Sequence, residues 1–139
     1  MAVPFLACML VTAGFYQLPP RVLPAIQVIE GGWVGSVSHN RDGSDDLGVM
    51  QVNTLWLPAL ARASRLPAAA VRLRLVGDPC FNIAAAGAIM RTYLVEAKGD
   101  LMRAVGDYHS HTPGLNQSYQ VSVRAAAGRL FGQKAKPAG

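Results

Sequence analysis

Apolar residues recur at helical spacing through most of this chain, and the breaks between the runs fall at proline, glycine and aspartate. Residues 4–16 are small or apolar on most faces and stop before Pro19-Pro20, which predicts a buried first helix. Proline suits a first turn, so a second helix starts at Pro20; Val22, Leu23, Ile26 and Ile29 keep its period, and Gly31-Gly32 end it. Glu30 falls in its last turn. Residues 31–46 are rich in Gly, Ser, Asn and Asp, and Arg41-Asp42-Gly43-Ser44 is a strong turn signal, so this stretch reads as a loop.

A third helix is expected from near Asn53 through Trp56 and Leu60, and a short fourth over 68–75. After the turn at Asp78-Pro79-Cys80, the stripe Ile83, Ala86, Gly87, Met90, Tyr93 and Leu94 marks the clearest helix of the chain. Asp100 caps a helix running through Ala104 to Tyr108, Pro113-Gly114 breaks it, and 118–130 forms the last one. No internal repeat or low-complexity segment interrupts the pattern. The expectation is one all-α domain over 1–139, with its core at about 8–130 and a flexible tail at 132–139.

Composition narrows the class without changing that picture. Apolar residues make up 51% of the chain and charged residues 15%, a globular balance rather than a disordered one. The formal charge of +5 favours polyanionic partners, but the basic residues are mostly scattered arginines without a Lys/Arg block or interleaved aromatics, so nucleic acid is not expected. The uncharged stretch 1–18 lacks the positive start of a secretion signal, and Phe5-Leu6-Ala7-Cys8 is only a loose lipoprotein box with too short an apolar run. No later run reaches the roughly 18 to 20 residues of a membrane span, so no stable membrane insertion is expected. Cys8 and Cys80 lack the close companions of a zinc site and read either as two reduced core residues or as one long-range disulfide.

Scarcity then points to the chemistry. The chain has two glutamates; Glu96 ends the strongest helix as a solvated charge, while Glu30 follows Val28-Ile29 and precedes Gly31-Gly32-Trp33. A carboxyl group against apolar surface at the mouth of a loop has its pKa raised, as a glycosidase acid requires. The constellation around Glu30 is more specific. Ala25-Ile26-Gln27-Val28-Ile29-Glu30 is followed by a polar loop and by Asp46-Leu47-Gly48-Val49-Met50-Gln51-Val52-Asn53, then by Asp78-Pro79-Cys80-Phe81-Asn82-Ile83 and Ala104-Val105-Gly106-Asp107-Tyr108. In these motifs the chain resembles the soluble lytic transglycosylase and goose-type lysozyme superfamily, most nearly its small members associated with type IV secretion and conjugation.

That resemblance implies a lysozyme-like helical fold with a loop-lined cleft for several sugars, no cofactor and no metal, and Glu30 as the lone catalytic acid and base. It implies cleavage of the bond between N-acetylmuramic acid and N-acetylglucosamine in peptidoglycan with a 1,6-anhydro product, in the periplasm or outside the cell, in the service of a secretion or conjugation apparatus; the oligomeric state is not read from the sequence, and a monomer is assumed. By the same resemblance Met50 and Gln51 line the cleft, with a core gap filler the alternative for Met50; Asn53 fixes the loop or caps a helix, and Tyr108 orients Glu30, contacts sugar or is structural. An exported protein favours the Cys8–Cys80 disulfide. The family usually carries serine directly after the glutamate and asparagine directly after the tyrosine; here these are Gly31, a reduced contact to substrate, and His109. His109 and His111 are two ligands without a third, too few for a metal site. Asp42, Asp45 and Asp46 suggest a second carboxylate, which a hydrolytic muramidase would need, but turn-shaping bonds are the simpler role. A wall-binding module of faded activity is the third alternative.

Overall fold

The computed structural model describes residues 3–132. Among the described residues seven α-helices surround one core, and three short strands form a small sheet beside it. Helix α1 (Leu6–Tyr16) leads to α2 (Val22–Glu30), which ends at the sheet: β1 (Val37–His39), β2 (Asp45–Leu47) and β3 (Val52–Asn53). A single 3-10 turn, Thr54–Trp56, leads into α3 (Leu57–Ser64), followed by α4 (Ala68–Gly77), α5 (Pro79–Glu96), α6 (Leu101–His109) and α7 (Pro113–Phe131). Helix α5 is the hub, packing against α1, α4 and α6, while α2 lies along α7. The Asp78 carboxylate accepts the Phe81 amide to cap α5, Pro79 occupies its first turn, and Ile83, Ala86, Ile89 and Met90 sink into the core.

The helical framework agrees with the periodicity, and four differences have local causes. Helix α1 is not buried all round: Met9, Thr12 and Ala13 face the core, while Leu10, Val11 and Phe15 are exposed. With no charged residue in the helix, its hydropathy carries no sign of which face meets water. The expected loop over 31–46 contains most of a hairpin, with Val37 opposite Leu47, Ser38 opposite Asp46 and His39 opposite Asp45. Its strands escape the alternating pattern because they are three residues long and Asp45 and Asp46 are held by side-chain bonds rather than by an apolar face. Residues 52–53 pair with β2, so the third helix starts at Leu57 rather than near Asn53. Pro113 starts α7 instead of serving as a break, five residues before the expected start, because a first-turn proline needs no hydrogen-bond partner.

Cys8 on α1 and Cys80 on α5 are joined by a disulfide with Cα atoms 5.4 Å apart. Of the expected tail, Gly132 closes α7 and the rest lies outside the described residues.

Candidate active site

Glu30 owes its position to how α2 stops. Gly31 takes a left-handed conformation (φ +67°) and donates its amide to the Gln27 carbonyl at 2.8 Å, ending the helix one residue beyond the glutamate. The next residue, Gly32, meets the 48–49 backbone so closely that a Cβ would stand 2.0 Å from the Gly48 carbonyl oxygen. The end of α2 is thereby pressed against the turn that carries Met50 and Gln51.

That turn is fixed by Asn82, which is fully buried in α5. Its Nδ2 donates to the Leu47 and Leu75 carbonyls, each at 2.8 Å, and its Oδ1 accepts the Met50 amide at 2.8 Å. One side chain so joins β2, α4 and the turn, satisfying backbone groups that would otherwise be buried without partners. The Met50 side chain is wholly buried, so it belongs to the core and does not line the cleft as expected. Its role at the site is through its backbone, whose carbonyl accepts the Tyr108 hydroxyl at 2.7 Å.

Above this floor lies a groove of about 380 Å³ whose walls include Glu30, Asp46, Gln51, Asn53, Tyr108 and His109. Gln51, with φ +53°, donates its side-chain amide to the Gly48 carbonyl at 3.0 Å and the Ser36 hydroxyl at 3.2 Å. Asn53 accepts the Leu55 amide through Oδ1, capping the 3-10 turn, and donates Nδ2 to Ser44 and to Asp46 Oδ1, each at 3.0 Å. Asn40 donates to the other Asp46 oxygen at 3.2 Å. Asp42 and Asp45 are tied more locally. Asp42 accepts the Ser44 hydroxyl and amide, and Asp45 accepts His39 and Arg72; these bonds hold both carboxyls below the usual range. Gly31 is exposed at the helix end and does not line the groove.

Burial raises the Glu30 pKa from 4.5 to about 7, opposed by a hydrogen bond from Tyr119 and assisted by the negative charge of Asp46. Tyr119 donates its hydroxyl to Glu30 Oε2 at 2.5 Å. Its own ionisation is pushed far up, by burial first and by the Glu30 charge second, so it remains a donor. Against its ring stacks His109, with centroids 5.0 Å apart and planes 10° from parallel. Tyr108, for which orienting Glu30, contacting sugar and a structural place were all open, donates its hydroxyl to the Met50 carbonyl. Sequence reasoning did not single out Tyr119, although Asn116, Tyr119, Val123 and Ala126 form the buried stripe of α7, a helix packed between α6 and α2. The signal was a lone phenol on that stripe, which needs a polar partner.

The model of the transglycosylase SLT domain matches residues 8–126, spanning every element from α1 into α7. The chain belongs to this family. The SLT domain is a lysozyme-like helical fold, in agreement with the helices described above. Invasion protein IagB of Salmonella typhimurium, in strains SL1344 and LT2, and of Salmonella typhi are similar to this SLT domain, with 30% identity over 106 residues. The matched stretch covers 76% of this chain and 62% of theirs, less than two thirds of those relatives.

One further cluster sits at the end of the SLT groove. His111 Nε2 lies 2.5 Å from Glu96 Oε1 and 3.7 Å from Asp107 Oδ2, so His111 does have acidic partners, which the fold supplies from α5 and α6. These three are the one grouping of potential cation ligands among the described residues, and the histidine and Glu96 already bond each other directly. No helix among the described residues is long and apolar enough to cross a membrane.

Proposed function

We propose that this chain is a peptidoglycan lytic transglycosylase in which Glu30 acts first as acid and then as base. The observation that carries this reading is a carboxyl group in a groove wall whose pKa, at about 7, leaves it half protonated near neutrality and whose ionised form has a donor waiting. The protonated group gives its proton to the glycosidic oxygen between N-acetylmuramic acid and N-acetylglucosamine as that bond breaks, and the substrate's acetamido group stabilises the anomeric carbon. The carboxylate left behind, held by Tyr119, takes the proton of the muramic C6 hydroxyl, whose oxygen closes on the anomeric carbon. The acid is regenerated and no water is consumed. Gln51 presents its side-chain carbonyl oxygen along the groove for sugar acetamido or peptide contacts, Asn53 fixes the loop and caps the 3-10 turn, and Tyr108 shapes the wall through Met50.

Asp46 favours a second reading, hydrolysis by a muramidase. It shares the groove with Glu30 and raises the Glu30 pKa by its charge. Against that role, both of its oxygens are engaged by Asn40 and Asn53, as expected of a carboxylate that braces the hairpin. Mass spectrometry of digested peptidoglycan separates the two: anhydro ends lack the water that hydrolytic ends gain. Anhydro products that vanish in Glu30→Gln and persist in Asp46→Asn support transglycosylation; hydrated products lost in both variants support the muramidase. Wall binding without release of muropeptides would leave a binding module. The likeness to proteins named for invasion and the disulfide support a site of action outside the cytoplasm, where the enzyme opens wall locally for a secretion or conjugation apparatus.

A further inference from the structure

Three observations converge on the residue that follows Tyr108. His109 ends α6 and is exposed to the groove, its ring lies nearly parallel to that of Tyr119, and the Tyr119 hydroxyl reaches Glu30. We propose that His109 is a positioning residue acting through Tyr119, its imidazole face fixing the phenol ring in the plane from which the hydroxyl meets Glu30 Oε2. The inference rests on the reading of Glu30 as acid and base.

The physical case is one of leverage. The hydroxyl stands at the far end of the side chain, on the axis of the ring, so a small swing about χ1 moves it out of hydrogen-bond range. A face-on partner at 5.0 Å resists a swing of the ring toward it. An asparagine, the residue usual at this place in the resembling family, offers no aromatic face. The titratable groups around the pair are Asp46 from β2, Tyr108 from α6 and Glu30 itself from α2; His109 also shares the groove with Asp107 and His111. Of these, Tyr119 is the one that donates a hydrogen bond to Glu30, so loosening it favours the protonated acid. The second half of the reaction would suffer, since the carboxylate that must collect a proton would lose its donor.

The chain's two glutamates make the test direct. Protein carrying ¹³C at the glutamate side-chain carboxyl gives two signals, with Glu96 as internal reference and Glu30→Gln as assignment. Tyr119→Phe is expected to move the Glu30 midpoint up by about one unit, the scale of a hydrogen bond to a charged group. His109→Ala should move it up by about half a unit, and His109→Phe, which keeps an aromatic face, should leave it at the wild-type position. The alkaline limb of muropeptide release should follow the same order. An unmoved midpoint in His109→Ala overturns the inference, as does a His109→Phe shift equal to that of the alanine variant. Failure of the underlying reading looks different: Glu30→Gln would still release muropeptides, whatever the titrations show.

Discussion

Replacing Glu30 by glutamine should make the protein more stable, and only above a certain pH. Glutamine keeps the size of the side chain and an acceptor oxygen for Tyr119, but it cannot ionise. In the unfolded chain Glu30 titrates at its ordinary 4.5; in the fold, burial raises this to about 7. Below pH 4.5 both states hold the proton, so variant and wild type should unfold alike. Between those values the native state keeps a proton that the unfolded state has lost, and wild-type stability falls as pH rises. Above about 7 the loss is complete. At about 1.4 kcal/mol per unit the gap corresponds to about 3 kcal/mol, reduced to about 2 to 3 kcal/mol because the carboxyl keeps some contact with water in the groove. Urea unfolding of both proteins at pH 4, 5.5, 7 and 8.5 measures it. A stability difference that does not change with pH, or a wild type that is the more stable at pH 8.5, would refute the claim that burial of the carboxylate dominates this site.

Other perturbations separate the supports of the groove. Breaking the Cys8–Cys80 bond, which closes a separation of 72 residues, should cost about 4 kcal/mol by chain entropy, read by urea unfolding of Cys8→Ser with Cys80→Ser. Asn82→Ala should cost about 3 kcal/mol or more, since it strands two carbonyls and an amide in the interior, and should lower muropeptide release even in the folded fraction. Tyr108→Phe removes only a bond to the Met50 carbonyl, so it should leave the Glu30 titration in place where Tyr119→Phe moves it; equal shifts would show that the hydroxyls had been given the wrong roles.

The helices were legible because their signals are local. A turn at Asp78-Pro79, a cap at Asp100 and glycines after Glu30 act within a turn of the residue that carries them. The sheet was not legible, since Asp45 and Asp46 owe their strand to Arg72, Thr54 and Asn53, contacts that exist only after folding. The same distinction runs through the site. Glu30 stood out by scarcity and by the motif beyond the loop, whereas Tyr119 stands 89 residues away on a stripe that resembles ordinary core. Met50 was misplaced because an unbranched apolar side chain in a motif gives no indication of which way it points. The acidic partners of His111 come from α5 and α6 and were invisible for the same reason as Tyr119.

The disulfide encloses residues 8–80, and with them Glu30, Gln51 and Asn53; Tyr108, His109 and Tyr119 all lie beyond it. Between the two groups stands the exposed turn after α5, where Lys98 and Gly99 both take left-handed conformations. A chain severed at that turn would leave the carboxyl group on one fragment and its phenol partner on the other. Catalysis would then become an assay for the reunion of two halves, with the glutamate titrating nearer to its ordinary 4.5 until the second fragment docks and buries it.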